Sequence, residues 1–256
     1  MLLAVKRVLL VCHNRTICLP LEPMAITKYN LSRLKGKVIA IDGPAGSGKS
    51  TTARLLAAAL GYQYLDTGAM YRALTWLALK HNVSPSDEAK LTVLAKSVAI
   101  EFETHEDVNQ VSINGEDVTD DIRSPEVTQH VSEVSAHKGV REAMVAKQRK
   151  LGKRGSIVAE GRDTTTVVFT EADFKFYMDA SVEVRAQRRL IDMAKLGVST
   201  NLEEQVRDIE RRDALDSGRQ NSPLRRARDA YVVDTSNMTI EEQVEHIISL
   251  ILSIVK

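Results

Sequence analysis

A glycine-rich stretch between a predicted strand and a predicted helix constrains this chain more than any other feature. Residues 38–51 read VIAIDGPAGSGKST, an apolar run that ends in a loop rich in glycine. The segment that follows places Leu55, Leu56 and Ala59 on one helical face, and Gly61 is a typical helix stop. In a strand, loop and helix of this kind, the backbone N–H groups of the loop and of the helix N-terminus converge on one point, which binds an anion.

The glycine spacing and the residues that follow it indicate which anion is bound. Gly43, Gly48, Lys49 and Ser50 match the pattern G-x-x-x-x-G-K-S of phosphate-binding loops, or P-loops. Lys49 supplies a positive charge for β- and γ-phosphates, and the Ser50 hydroxyl is a ligand for Mg²⁺, which phosphate oxygens and water complete. The pattern therefore predicts binding of a nucleoside triphosphate with Mg²⁺. The residues predicted to contact it are Gly43, Pro44, Ala45, Gly46, Ser47, Gly48, Lys49, Ser50 and Thr51.

Charge balance and length narrow the class of P-loop protein. With 35 basic and 34 acidic residues, the formal net charge is +1, which argues against bulk electrostatic binding to nucleic acid or a membrane. A GTPase is expected to carry an Asn-Lys-x-Asp segment for its base, and this sequence has none. Its 256 residues are few for a motor or helicase with added domains. Elimination thus favours a small phosphotransfer kinase.

Five short apolar runs separated mostly by helical patterns predict an α/β fold with a five-stranded parallel sheet. The runs lie at residues 38–41, 62–65, 156–159, 174–178 and 231–233. In such sheets the ligand crevice lies outside the carboxyl ends of the strands. The polar residues that follow the runs are therefore candidates for the site: Asp42, residues 66–68, residues 160–163, Asp179 and residues 234–236.

Two segments interrupt the alternation of strands and helices. Residues 98–127 alternate apolar and polar side chains around Asn114-Gly115, which predicts a small antiparallel excursion, followed by a helix that ends near Gly152. The second interruption begins at Ser181 and is helical and charged. A third helical pattern near the C-terminus, opening on Thr239 and Glu242 as a capping box, is expected to pack on the core.

The charged helical segment contains ten arginines between Arg185 and Arg228. Thr200 and Glu203 have the spacing of a capping box for its second helix. Arg185, Arg188 and Arg189 lie on one helical face, and Arg212 and Arg219 follow on the next element. Guanidinium groups so placed can clamp a transferring phosphoryl group. The alternative is a solvated face on which the arginines pair with acidic neighbours such as Glu183, Asp192, Glu204 and Asp208.

The first 36 residues carry no functional pattern. Their apolar run is interrupted by Lys6 and Arg7 and is too short to span a bilayer. We expect a disordered or mis-started extension rather than an export signal, with translation beginning at Met24. Both cysteines, Cys12 and Cys18, lie in this stretch, so no disulfide can staple the main body and a reducing compartment is expected.

Four segments together resemble one enzyme family. The chain is similar to the bacterial-type cytidylate kinases of the nucleoside monophosphate kinase superfamily. The segments that carry the similarity are, in this order, IDGPAGSGKST, LDTGAMYR, AEGRDTTTVVF and ERRDALDSGR. The likeness covers about residues 37–252, and the last three segments are far more specific than the first. It implies transfer of the γ-phosphoryl group of ATP to CMP or dCMP by a cytoplasmic monomer. It also implies a P-loop kinase core with an NMP-binding insertion at about residues 97–150 and an arginine-rich lid at about residues 183–225.

The resemblance also implies roles for individual residues. The positions that match the acceptor site of the family are Thr67, Tyr71, Arg72, Ser132, Arg141, Arg162, Asp163, Arg212, Asp216 and Arg219. Tyr71 is expected to form an aromatic wall, Arg72 and Arg162 to clamp phosphate, and Asp216 to accept from a sugar hydroxyl. The expected catalytic residues are Lys49, Arg162, Asp163, Arg185 and Arg188.

The same resemblance places Ser132, Arg141 and Asp163 against the cytosine edge. Cytosine offers one exocyclic amine as donor and N3 and O2 as acceptors, so the Asp163 carboxylate can take the amine while Arg141 donates. The chain departs from the family at Thr164 and Thr165, where many members carry an apolar residue and a glycine. Two rivals remain: another small P-loop kinase with a different acceptor, and a nucleotide-gated regulatory protein that hydrolyses ATP slowly without an acceptor.

Overall fold

The computed structural model describes residues 8–12, 15–19, 31–105, 108–195 and 197–255. The chain divides into two units, the first ending at residue 35 and the second beginning at residue 36. In the first unit, β1 (Val8–Cys12) and β2 (Arg15–Leu19) form an antiparallel pair and a 3-10 helix covers Leu31–Leu34. Much of the predicted extension, including Met24, lies outside the described residues, so its nature and its start site stay predictions.

The second unit, residues 36–256, alternates strands and helices. Its strands are β3 (Val38–Asp42), β4 (Gln63–Asp66), β5 (Ile100–His105), β6 (Val108–Ile113), β7 (Glu116–Asp117), β8 (Ile157–Gly161), β9 (Phe174–Asp179) and β10 (Tyr231–Asp234). Its α-helices are α1 (Lys49–Leu60), α2 (Thr67–Lys80), α3 (Glu88–Ser97), α4 (Pro125–Val134), α5 (Lys138–Gly152), α6 (Val182–Lys195), α7 (Leu202–Ser217) and α8 (Ile240–Ile254). A 3-10 turn covers Asp121–Arg123 and a π-helical turn covers Thr164–Val168.

Five of these strands form one parallel sheet in the order β10-β9-β3-β8-β4. The α/β prediction with five parallel strands is confirmed. Ile39, Ala40 and Ile41 in β3 are at most 1% exposed, as expected for a central strand covered on both faces. Because β3 and β8 pair with Asp42 opposite Gly161, the loops after these two strands leave the same edge of the sheet side by side.

A helix cap places one site segment at this edge, and two further caps test the sequence predictions. The Asp66 carboxylate, at the end of β4, accepts a hydrogen bond of 2.9 Å from the Ala69 backbone N–H and so starts α2 directly after the strand. The predicted capping box of Thr239 and Glu242 is present at the start of α8. The one predicted for Thr200 is wrong by one residue: Asn201 caps α7 and accepts from the Glu204 N–H, while the Thr200 hydroxyl donates to the Glu204 carboxylate.

The antiparallel excursion is a three-stranded sheet of β5, β6 and β7. Asn114 (φ 53°) and Gly115 (φ 82°) form the two-residue turn between β6 and β7, as the dipeptide predicts, because both positions need the left-handed region. Its apolar side chains, among them Val111 and Ile113, join one buried cluster with α2, α4 and α5.

Candidate active site

The phosphate-binding loop requires glycine for steric reasons. A side chain at Gly43 would overlap the carbonyl oxygen of Met178 in β9. Gly48 has φ +86°, which L side chains rarely adopt, and directly precedes Lys49, the first residue of α1. A hydrogen bond from a residue outside the loop also holds it in place: the Thr235 hydroxyl donates to the Ser47 carbonyl oxygen at 2.9 Å. The loop therefore presents its backbone N–H groups at a fixed helix N-terminus.

Lys49 and Ser50 meet an acidic residue that the predicted set of site residues did not include. The Ser50 hydroxyl donates to Glu160 Oε1 at 2.7 Å, and Lys49 Nζ lies 4.0 Å from Glu160 Oε2 and 3.1 Å from the Pro44 carbonyl oxygen. Burial lowers the pKa of Lys49 to about 7, and the positive charge of Arg162 contributes. Burial likewise raises the pKa of Glu160 to about 7, with Asp66 contributing.

The oxygens of Ser50 and Glu160 suit a hard cation. Across residues 31–105, 108–195 and 197–255, no group of three or more His, Cys, Asp or Glu side chains could hold a metal by itself. Mg²⁺ normally takes one or two protein oxygens and is completed by phosphates and water. A hydroxyl and a carboxylate side by side at the phosphate loop fit that requirement.

A buried ion pair lies next to this loop. Arg141 and Asp163 are each 4% exposed, and Arg141 Nη2 donates to Asp163 Oδ2. Arg141 Nη1 also donates to the Ser135 carbonyl oxygen at 3.1 Å, and its guanidinium carbon lies 5.2 Å from the centre of the Tyr71 ring. The predicted base readers and the predicted aromatic wall are thus in one place.

A second buried carboxylate, that of Asp216, accepts hydrogen bonds from two arginines. Asp216 in α7 is 2% exposed and accepts from Arg162 Nε at 2.7 Å and from Arg219 Nη2 at 2.5 Å. Burial alone would raise the pKa of Asp216, but Arg162 and Arg219 hold it below its usual value. Asp216 therefore stays ionised and fixes the two guanidinium groups.

Further arginines surround this pair and produce an excess of positive charge. Burial, together with the positive charges of Arg162 and Arg72, lowers the pKa of Arg212 to about 9. Burial also lowers the pKa of Arg72. The negative charge of Asp66 opposes this decrease, whereas the positive charge of Arg189 adds to it. Guanidinium groups that disfavour one another's charge suit a phosphate anion, because its negative charge would relieve the repulsion.

The two predicted lid arginines contact the phosphate loop. Arg185 is 4% exposed and donates to the carbonyl oxygens of Ala180 (2.9 Å) and Ala45 (3.2 Å) and to Asp213 Oδ2 (2.6 Å). Arg188 donates to the Gly46 carbonyl oxygen at 3.4 Å and to the Thr235 carbonyl oxygen at 2.6 Å. Arg185 does form a salt bridge with an acidic residue of α7, as the alternative interpretation allows, but its side chain is only 5% exposed, whereas the exposed Arg211 pairs with Asp208 at the surface.

The other predicted acceptor residues lie at the edges of this cluster. The Thr67 hydroxyl donates to the Glu160 carbonyl oxygen at 2.7 Å. Arg72 donates to Thr128 Oγ1 at 3.0 Å and to the Ile122 carbonyl oxygen, which directs it toward α4. Ser132 contributes its carbonyl oxygen to the Ser135 hydroxyl.

Three functional candidates that the structure brings into the site received no role from the sequence: Glu160, Ser135 and Asp213. Glu160 stands at a strand end that was flagged but received no role. Ser135 binds both Arg141 and Arg219, which makes it a better connected neighbour of the base readers than Ser132. Asp213 needs the tertiary structure, because its partner Arg185 is 28 residues away.

Comparisons with known proteins identify one family. The family model for cytidylate kinase matches residues 39–253. Curated cytidylate kinases from Bacillus cytotoxicus and Bacillus velezensis are 47% and 48% identical to the chain over 213 residues, 83% of the chain and 95% of each relative. One from Bacillus anthracis is 46% identical over 216 residues, 84% of the chain and 96% of the relative. Because the family model covers most of the chain and curated members are 46–48% identical to it over more than four fifths of its length, the chain belongs to the cytidylate kinase family.

Proposed function

We propose that this protein transfers the γ-phosphoryl group of ATP to CMP and dCMP, producing ADP with CDP or dCDP. The observation that carries the proposal is the segment after β8. Glu160 contacts Ser50 and Lys49 of the donor loop, Arg162 joins the arginine cluster, and Asp163 pairs with Arg141. Residues so close in the chain thus reach both a triphosphate site and a site for a nucleobase monophosphate.

The reaction needs no covalent enzyme intermediate. An oxygen of the acceptor phosphate attacks the γ-phosphorus in line, the bond from that phosphorus to the β,γ-bridging oxygen breaks, and ADP leaves. Lys49 and the cluster around Arg162 neutralise the charge that both phosphate chains bring together. Ser50 and Glu160 would hold Mg²⁺, directly or through water, and the ion supplies further charge neutralisation on the β- and γ-phosphates.

Base selection rests on the buried pair. Asp163 accepts from the exocyclic amine of cytosine, and Arg141 donates to its ring acceptors. Uracil carries a carbonyl at the position of that amine, so the Asp163 carboxylate would face another acceptor with no proton between them. An unsatisfied buried carboxylate costs on the order of a few kcal/mol, which is enough to favour cytosine.

The lid arginines complete the donor side. Arg185 and Arg188 donate to carbonyl oxygens of the phosphate loop, so a short side-chain movement directs them to the phosphates. Closure excludes water, which would otherwise accept the phosphoryl group and waste ATP. Within the described residues no helix is long and apolar enough to cross a membrane. We further propose a cytoplasmic monomer whose partners are nucleotides, with no nucleic-acid or membrane partner.

One coupled assay of ADP production tests the proposal, with CMP, dCMP, UMP, AMP or no acceptor, each with Mg²⁺ or with EDTA. We expect rapid Mg²⁺-dependent turnover with CMP and dCMP and little with UMP or AMP. Preference for AMP or UMP would instead support a different small P-loop kinase. Slow hydrolysis that no acceptor stimulates would support a nucleotide-gated regulatory protein.

A further inference from the structure

Two adjacent threonines bind a buried carboxylate at the point where the donor and acceptor halves of the site meet. Asp42, the last residue of β3, is 0% exposed. It accepts from the Thr164 backbone N–H (2.8 Å) and hydroxyl (2.7 Å) and from the Thr165 backbone N–H (2.8 Å) and hydroxyl (2.5 Å). Each Asp42 oxygen therefore has two donors, one from the backbone and one from a hydroxyl that only this pair of side chains provides.

These bonds connect two functional loops. Asp42 directly precedes Gly43 of the phosphate loop, and Thr164 directly follows the base reader Asp163. Thr164 begins the π-helical turn, whose Val167 N–H donates to the Asp163 carbonyl oxygen at 2.9 Å. The position of Asp163 relative to the phosphate loop thus depends on how the turn is held against β3.

The donor loop has other anchors, whereas this turn has few. Thr235 and Arg188 bind the carbonyl oxygens of Ser47 and Gly46 independently of Asp42. Arg149 holds the far end of the turn at the Val167 and Val168 carbonyl oxygens. The near end, next to Asp163, is fastened to the sheet through Asp42 and a longer bond from the Thr164 hydroxyl to the Ile41 carbonyl oxygen (3.3 Å).

Because the Asp42 carboxylate is buried, the loss of the hydrogen bonds from the Thr164 and Thr165 hydroxyls costs free energy. Burial raises the pKa of Asp42, and the bonds from Thr164 and Thr165 oppose that rise. A buried carboxylate that loses two of its four donors is left partly unsatisfied, and the turn relaxes to recover solvent or other donors. A valine at either position preserves the shape of threonine and removes only the donor.

We propose that the Thr164 and Thr165 hydroxyls, bound to Asp42, are positioning groups that set Arg162 and Asp163 at the correct distance from the phosphate loop. They act through these residues and not on the substrate itself. The proposal rests on the proposed CMP kinase activity and gives the Thr-Thr pair a role specific to the acceptor side.

The test compares Thr164→Val/Thr165→Val with Thr164→Ser/Thr165→Ser, which keeps both hydroxyls and removes the methyl groups. At a temperature well below the Tm of each variant, we expect the valine pair to raise the KM for CMP about tenfold or more, with the KM for ATP changed less than about twofold. The serine pair should remain within about twofold of wild type for both. Thr166→Val is the matched control, because the buried Thr166 hydroxyl has no hydrogen-bond partner among the described residues.

A valine pair that lowers Tm but leaves the KM for CMP unchanged would overturn the proposal. So would a serine pair that is as defective as the valine pair, or equal losses toward CMP and ATP. If the valine pair does not fold, the single valine variants are measured in the same way, and each should raise the KM for CMP about threefold. Wild-type protein that neither binds nor phosphorylates CMP would refute the proposed function itself, an outcome seen before any variant is made.

Discussion

The donor and acceptor halves of the site are built in opposite ways. The predicted donor half is one uninterrupted stretch, residues 43–51, whose expected binding groups are backbone N–H groups and one lysine. The predicted acceptor half is made of side chains between Thr67 and Arg219, from α2, α4, α5, the segment after β8, α7 and the residues just after α7. The first depends on backbone conformation, and the second on charged side chains held in buried pairs.

This difference determines how much binding each half loses when one residue is substituted. A backbone site loses little binding when one side chain changes, because most of its donors remain. A site of buried pairs loses more, since removing Asp163 leaves Arg141 buried without its partner, and removing Asp216 frees two arginines. We therefore expect donor-side variants to affect turnover and acceptor-side variants to affect CMP recognition.

Lys49→Met, in the donor half, is expected to have the largest effect on turnover. We expect kcat to fall by about 10²–10³-fold, because a charge that stabilises the transferring phosphoryl group is lost. ATP affinity should fall much less, since the backbone donors remain. Steady-state kinetics and calorimetric titration of ATP measure the two effects. The exposed Lys90→Met serves as control, and an ATP affinity that falls as far as kcat would contradict the backbone description of this half.

Asp163→Ala tests the acceptor half. We expect kcat/KM for CMP to fall about 30-fold or more, equivalent to about 2 kcal/mol, because the base loses its acceptor and Arg141 its partner. ATP affinity should stay within about twofold. Asp229→Ala is the control, since that carboxylate is largely exposed and pairs with Lys175. Equal losses for the two nucleotides would remove Asp163 from base recognition.

Arg188→Ala examines the proposed lid. Its guanidinium donates to the phosphate loop and to Thr235, so we expect kcat to fall about tenfold while the KM for CMP changes less than about threefold. Arg185→Ala should behave similarly. Arg211→Ala, which removes an exposed pair with Asp208, should leave the kinetics unchanged. Wild-type turnover in both lid variants would show that these arginines only stabilise the fold.

Glu160→Gln tests the buried charge at the boundary of the two halves. The folded protein keeps a proton on Glu160 up to about pH 7, whereas the unfolded chain releases it near 4.5. Between these values the folded state binds more protons, so this group's contribution to stability is present below 4.5 and is lost as pH rises toward 7.

We therefore expect the stability of wild type, relative to Glu160→Gln, to decrease by the order of 1 kcal/mol between pH 5 and pH 7 without nucleotide. Urea unfolding at a series of pH values measures this difference. Parallel pH profiles for the two proteins would mean that Glu160 titrates near its ordinary pKa.

Local patterns predicted the repeating parts of the fold. Apolar runs of strand length gave all five strands of the parallel sheet, and Asn114-Gly115 identified the turn in the insertion, because both signals arise from residues adjacent in the chain. The cap of α7 was misplaced by one residue, since Thr200 and Asn201 are both good caps and the spacing alone does not choose between them.

The candidate site was predictable in part. Resemblance located Arg141, Asp163 and Asp216, yet their pairing appears only when α5, the segment after β8 and α7 come together. The departure from the family at Thr164 and Thr165 had no explanation in the sequence. In the structure both hydroxyls bind Asp42, more than a hundred residues earlier in the chain.

The sequence by itself determined the phosphate loop, because a strand, three glycines and a helix N-terminus create an anion site from consecutive residues. Only the tertiary structure decided which carboxylate each arginine meets, since burial makes each charge depend on a partner distant in the chain. The parallel pairing of β3 with β8 brings these partners to one edge of the sheet, and so decides where the acceptor site lies relative to the donor loop.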